Sequence, residues 1–273
     1  MKVLLVVNPQ KAASQTLALE IKTKLEERGI TVNSFSWTDK ALPQEDFELA
    51  ISLGGDGTVL FTARTIAARK VPILPVNLGT LGFIASVPPV GWLDAFEIWR
   101  AGKAVFSQRL MLEIAVERRG KRVFELPAMN DAVISASGIA KTIRLRVHFN
   151  GQSIARYRSD GLIAATPTGS TAYSASAGGP ILDPEMEAII LNPVCPFTLF
   201  KRPLVLPITE PVQINIEHEQ RSGVLLTIDG QVTEALENGD FVFVSAALNK
   251  TQLIVSGRSA FYNALHTKLS HGT

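Results

Sequence analysis

The run Leu53-Gly54-Gly55-Asp56-Gly57-Thr58 sets an acid among glycines, between an apolar stretch from Leu49 to Leu53 and a helical pattern that starts at Val59. A strand that turns through glycines into a helix can bind phosphate, because the backbone can approach closely and the first helical N–H groups face the anion. Gly54, Gly55, Gly57 and Thr58 are therefore the expected phosphate loop. Asp56 would repel a bare phosphate. It suits a bound metal or a hydroxyl that must lose its proton, and a kinase supplies both. Capping of the helix is the other role open to an Asp at such a start.

Two further stretches carry chemistry. In Asn77-Leu78-Gly79-Thr80-Leu81-Gly82-Phe83, two glycines three apart force the backbone close to something, and Phe83 could cover a dinucleotide or sit in the core. From Arg158 through Asp160-Gly161 to Gly179-Pro180, an expected strand opens into a loop rich in Thr, Ser and Gly with Tyr173 among them. Such hydroxyls and amides suit a ligand with many polar edges, such as ribose, amide and phosphate. Hydroxyl-nucleophile chemistry lacks its partners: no Gly-x-Ser-x-Gly elbow exists, and His148, His218, His266 and His271 are scattered.

The elements that must position these residues fall into two groups. Val3 to Val7 reads as a buried strand ending at Asn8-Pro9. Ser14 can cap a helix running to Arg28, with Leu17, Ile21 and Leu25 on one face and Gly29 as its stop. Strands at Ile30 to Phe35, Leu49 to Leu53 and Val71 to Val76 complete a parallel α/β pattern with no Gly-x-Gly-x-x-Gly after the first strand. Val90 to Arg100 is an expected helix with Trp92, Phe96 and Trp99 on one face. After Gly102, period-two segments take over at 112–116, 122–126, 132–135, 142–149, 212–216, 224–228, 241–244 and 252–255. The expected organisation is a Rossmann-like α/β domain over 1–103, an all-β domain over 104–257, and a C-terminal helix over 258–273. Phe261, Leu265 and Leu269 share a face of that helix, which must be buried, and the first domain is the expected place.

Composition narrows the function classes. The 273 residues are 46 % apolar and 19 % charged, and 27 basic against 25 acidic residues leave a formal charge of +2, which gives no argument for nucleic acid or a membrane surface. The single cysteine, Cys195, excludes an internal disulfide and points to a reducing compartment. No secretory leader and no apolar run of membrane-spanning length is read, so the cytoplasm is expected.

Taken together, Gly54-Gly55-Asp56-Gly57-Thr58, Asn130-Asp131, Asp160-Gly161, Thr166-Pro167-Thr168-Gly169-Ser170-Thr171-Ala172-Tyr173-Ser174, Ala177-Gly178-Gly179-Pro180 and Asp229-Gly230-Gln231 resemble the bacterial-type NAD kinases over nearly the whole chain. The glycine-Asp motif is shared with lipid kinases and phosphofructokinase-type kinases, whereas the Thr-Pro-Thr-Gly-Ser run is far more selective. The resemblance implies transfer of the terminal phosphoryl group of ATP, or of polyphosphate, to the 2′-hydroxyl of the adenosine ribose of NAD, giving NADP. It implies Asp56 as proton acceptor and a divalent cation, expected to be magnesium, whose protein ligands are unknown. The NAD contacts it implies are Asp56, Gly57, Asn130, Asp131, Lys141, Arg158, Asp160, Thr171, Ala172, Tyr173, Ser174, Ser176 and Gln231, with Phe83 as a further dinucleotide contact. Relatives are homodimers or homotetramers. Asp131 stands where Glu is more usual, and Phe197 where relatives often carry His. A lipid or sugar kinase sharing only the glycine-Asp loop, and a non-catalytic NAD or NADP sensor on the same fold, are the competing readings.

Overall fold

A computed structural model of the chain describes residues 1–36, 38, 42–43, 45–79, 82–197, 202–257 and 259–270, with Leu269 and Ser270 described by backbone alone. Thr80, Leu81, Thr198, Leu199 and the tail after Ser270 lie outside the described residues, as does the side chain of Leu269. The chain divides into two compact units, one of residues 1–109 and 250–273, the other of residues 110–249.

The first unit opens with β1 (Lys2–Val7), α1 (Ala12–Glu26), β2 (Thr31–Phe35), β3 (Leu49–Gly54), α2 (Asp56–Ile66), β4 (Ile73–Asn77), α3 (Trp92–Arg100) and β5 (Val105–Arg109). Strands Val3–Val6 and Leu49–Leu53 are continuous apolar runs because both faces of a parallel sheet are covered by helices, and these residues are wholly buried. Strand order is β2-β1-β3-β4, followed by the strand Thr251–Val255 and then β5. All pairings are parallel except the last, in which β5 runs antiparallel to Thr251–Val255. After β1 the chain crosses to one side to form β2, and then to the other to form β3. Ligands bind at such reversals, outside the carboxyl ends of the strands. Gly54 and Asp56 lie at that end of β3.

Two expectations are corrected here. Ser14 does not cap α1; it lies inside the helix, fully buried, where its Oγ donates to the carbonyl of Leu53 at 2.8 Å and accepts the N–H of Asn8 at 2.9 Å. Thr251–Val255, grouped by its alternation with the later strands, instead joins the sheet of the first unit together with β5. Alternation marks a strand but does not name its partner. Trp92 and Phe96 are buried, as their helical spacing requires, and in the helix Ala260–Ser270 the buried positions are Phe261 and Ala264.

The second unit holds β6 (Leu112–Arg118), β7 (Lys121–Ala128), β8 (Asp131–Ala136), β9 (Ile143–Phe149), β10 (Gln152–Ser159), β11 (Gly161–Ala165), a short α4 (Tyr173–Ser176), β12 (Ala188–Val194), β13 (Leu204–Pro207), β14 (Val212–Ile216), β15 (Val224–Ile228), β16 (Val232–Leu236) and β17 (Phe241–Ala246). Two antiparallel sheets form, β10-β9-β14-β17-β6-β7 and β13-β12-β11-β8-β15-β16. Their facing residues, among them Ile114, Leu145, Ile214, Leu162, Ile189 and Leu226, make one core. The second sheet buries its other face too: Val133, Ile163, Ala165 and Ile190 pack against Ala177 and Leu182. That is why β11 and β12 lack alternation. The strand Thr251–Val255 and the helix Ala260–Ser270 are β18 and α5 below. No helix among the described residues is long and apolar enough to cross a membrane.

Ser14 joins α1 to the ends of β1 and β3, so its loss leaves a half-buried N–H and a buried carbonyl short of a partner. Ser14→Ala should destabilise the protein by about 1–3 kcal/mol. Urea unfolding of the purified variant checks this, and an unchanged midpoint would contradict it.

Candidate functional site

In the first unit the candidate residues gather at the turn from β3 into α2. Gly55 occupies the N-cap and makes no side-chain cap, so Asp56 is the first helical residue rather than the capping one. Its carboxylate turns to a different loop. Oδ2 accepts the N–H of Phe83 at 3.0 Å, and Oδ1 accepts those of Ile84 at 3.2 Å and Ala85 at 2.9 Å. The segment bearing them leaves the end of β4 and returns to it: Asn77 N–H donates to Val87 O at 2.8 Å, and Val87 N–H to Pro75 O at 3.1 Å. Two glycines are required by close approach. A Cβ on Gly54 would lie 2.0 Å from Thr58 Oγ1, and one on Gly82 would lie 2.0 Å from Asp56 Oδ1. Asp56 is half-buried and Gly57 is exposed in the first turn of α2. Phe83 is occupied by its own unit, with Phe261 and Lys268 of α5 against its ring.

In the second unit a separate cluster of candidate residues is built on β8 and β11. Asp229, at the end of β15, takes a left-handed backbone conformation with φ +50°. Its carboxylate accepts the N–H groups of Met129 at 3.1 Å, Asn130 at 2.7 Å and Asp131 at 3.2 Å, while its own N–H donates to Asp131 O at 2.9 Å. From the other side Thr166 N–H donates to Asn130 O at 2.8 Å and Thr166 Oγ1 to Met129 O at 2.6 Å. Gly169 packs so closely that a Cβ would lie 2.1 Å from Asn130 O. The Thr-Pro-Thr-Gly turn and Asp229 thus grip Asn130 and Asp131 between them. The Oδ1 of Asn130 is buried with no hydrogen-bond partner among the described residues, an acceptor left for a ligand. Asp131 is buried, and this burial, with the charge of Asp229 added, pushes its carboxyl up to about 7.

Beside this grip a cavity of about 220 Å³ is lined by Lys141, Asp160, Tyr173, Val133, Ser135 and Val194. Three residues singled out from the sequence therefore line one cavity. Thr171 and Ala172 are half-buried, and Ser176 and Gln231 are exposed. Ser174 is different: it is fully buried, its carbonyl accepts Asn192 Nδ2 at 2.9 Å, and a Cβ on Gly179 would lie 2.3 Å from its Oγ. It holds the loop together. Arg158 is exposed, with its guanidinium 5.0 Å from the centroid of the Phe197 ring, so the aromatic that replaces the expected imidazole stacks on a cation. Sequence reasoning did not assign Asp229 or Asn192 a role. An Asp-Gly pair signals a turn, but nothing local marks the N–H groups about a hundred residues away that Asp229 serves. Among the described residues no group of three or more His, Cys, Asp or Glu side chains could hold a metal.

Comparison with known proteins matches the chain to two sequence families, the ATP-NAD kinase N-terminal domain over residues 36–100 and the ATP-NAD kinase C-terminal domain over residues 129–256. The NAD kinase of Treponema denticola is 42 % identical, covering 98 % of this chain and 95 % of its own, and that of Treponema pallidum is 36 % identical, covering 98 % and 89 %. Among solved structures, yeast NADH kinase complexed with NADH superposes with a TM-score of 0.88 at 25 % identity, covering 100 % of this chain and 88 % of its own. An NAD kinase from Archaeoglobus fulgidus in complex with ATP gives a TM-score of 0.79 at 22 % identity, a likeness of fold, covering 99 % of each chain. With both domain families matched in order and the curated similarity running nearly end to end, the chain belongs to the NAD kinase family.

Proposed function

We propose that this family member transfers the terminal phosphoryl group of ATP to the 2′-hydroxyl of the adenosine ribose of NAD, with Asp56 taking the hydroxyl proton. The observation that supports this role most directly is that Asp56 is held by three backbone N–H groups rather than spent on capping its helix. In the reaction the hydroxyl oxygen forms the new bond to the terminal phosphorus, the bond from that phosphorus to its bridging oxygen breaks, and ADP leaves with the electron pair. A secondary hydroxyl is far too weak an acid for a carboxylate to ionise beforehand. Asp56 therefore orients the hydroxyl and receives its proton as the phosphorus–oxygen bond forms.

Asn130 Oδ1 and the Asp131 carboxyl are the acceptors we assign to NAD, supported by their burial and by the unpartnered Asn130 oxygen. Asp160, Lys141 and Tyr173 follow as groups that line the adjoining cavity, while Gly57, Arg158, Thr171, Ala172, Ser176 and Gln231 are assigned by the family motif. A divalent cation has no cage of side chains among the described residues. Magnesium commonly binds through substrate phosphates with few protein ligands. A cytoplasmic homodimer or homotetramer is the assembly we assign, and sedimentation of the purified protein measures its order.

Asp56→Asn should reduce NADP formation by at least a hundredfold while leaving NAD affinity nearly intact; a coupled assay beside calorimetric titration reads both, and the same assay with polyphosphate tests that donor. Turnover near the wild-type rate would remove Asp56 from the role. A second expectation concerns pH. The folded protein holds a proton on Asp131 up to about 7, whereas an unfolded Asp carboxyl titrates near ~3.9. Between those values the native state binds more protons than the unfolded one, so the stability from this group is full below ~4 and is lost as pH rises through about 7. Thermal unfolding without ligand should therefore give a lower Tm at pH 8 than at pH 5, and Asp131→Asn should flatten that part of the profile. Profiles of the same slope for both proteins would contradict the assignment.

A further inference from the structure

The three N–H groups that hold Asp56 are shared unequally between its two oxygens. Oδ1 accepts two, from Ile84 and Ala85, which fills both of its in-plane lone pairs. Among the described residues Oδ2 accepts only Phe83 N–H, which leaves it one lone pair. The oxygens are thus different before any substrate arrives. Rotation of the carboxylate to exchange them would break all three bonds. Gly82 Cα borders it so closely that even a methyl group there would overlap Oδ1.

What keeps this loop in place is a stack contributed by α5. The ring of Phe83 meets that of Phe261 at a centroid distance of 6.0 Å and a tilt of 44°, and Lys268 Nζ lies 4.5 Å from the Phe83 centroid. Phe261 is buried and makes an edge contact with Tyr262 at 5.3 Å. Phe83 thus carries the N–H to Oδ2 on its backbone and the contact with α5 on its side chain. Aromatic and cation–π contacts of this kind are modest in energy. Catalysis is nevertheless sensitive to displacements well under 1 Å at a reacting group.

We propose that Phe261 and Lys268 are positioning residues for the phosphoryl transfer, acting through Phe83 to fix the Asp56 carboxylate with Oδ1 saturated and Oδ2 open to take the proton. This rests on Asp56 being the proton acceptor. Neither α5 residue need touch NAD or ATP, so their effect belongs in kcat and not in KM.

Steady-state kinetics of Lys268→Ala, Lys268→Arg and Phe261→Leu, measured beside Asp56→Asn and beside urea unfolding of each variant, tests this. Lys268→Ala should lower kcat about two- to fivefold, with KM for NAD and for ATP unchanged and the unfolding midpoint near that of the wild type, since Lys268 is exposed. Lys268→Arg keeps a cation over the ring and should restore kcat. Phe261→Leu keeps the apolar volume and loses the ring contact, and should lower kcat by at least as much as Lys268→Ala. Wild-type kcat in Lys268→Ala, a loss that Arg does not restore, or a change confined to KM would each overturn the proposal while Asp56→Asn stays inactive. Retained turnover in Asp56→Asn would instead overturn the reading on which it rests.

Discussion

Backbone N–H groups in a loop have no ladder to join, and a buried one left unpaired costs about as much as a lost hydrogen bond. Each unit meets this constraint in the same way, by giving three successive N–H groups to one carboxylate. Asp56 serves Phe83, Ile84 and Ala85; Asp229 serves Met129, Asn130 and Asp131. A charged acceptor makes each such bond worth more than a neutral one, about 1.5–3 kcal/mol. The loops are therefore shaped by side chains drawn from elsewhere in the chain, and two of the acids that look most like ligand groups are in large part structural. Asp229 even accepts a left-handed backbone for this, at a cost that Asp tolerates better than most residues.

The two carboxylates differ in what remains to them. Asp56 is half-buried and keeps a lone pair on one oxygen, so it can still act on something. Asp229 is 7 % exposed and faces the protein's own amides, and its negative charge is felt by Asp131 beside it. Holding two acids together in a buried place favours the protonated form of one of them. Asp131 is thereby able to donate as well as accept near neutral pH, which a fully ionised carboxylate cannot do.

Local residue types made much of this visible. Long apolar runs in β1 and β3, the i, i+4 spacing of Leu17, Ile21 and Leu25, and the alternation of Ile143, Leu145 and Val147 each record the face that is buried. The glycines at 54, 55 and 57 and the Thr-Pro-Thr-Gly run marked the candidate residues of each unit. Most of the missing parts depend on distant partners; β10, which pairs with the adjacent β9, is the exception. β10 carries Ala155 and Tyr157 among charged and polar neighbours and was not read as a strand, although it pairs along β9. Ser14 has a polar side chain at a helix start, and only the nearby Leu53 carbonyl explains why it is buried instead. The separation of 27 positions from Asp56 to Phe83, and of 99 from Asn130 to Asp229, holds no periodic signal that would join them. An acid's environment is a property of the folded chain, which is why Asp131 read simply as a shorter Glu.

The sheet of the first unit has a consequence for how the chain is made. β5 closes that sheet only through β18, and β18 lies between β5 and β4. During synthesis the segment Val105–Arg109 emerges long before Thr251–Val255, and the whole of residues 110–249 separates them. Contacts of such sequence separation form late. While the ribosome is still translating the β-rich middle of the chain, the exposed edges of β4 and β5 stay open to foreign strands, the condition in which a nascent protein most needs a chaperone.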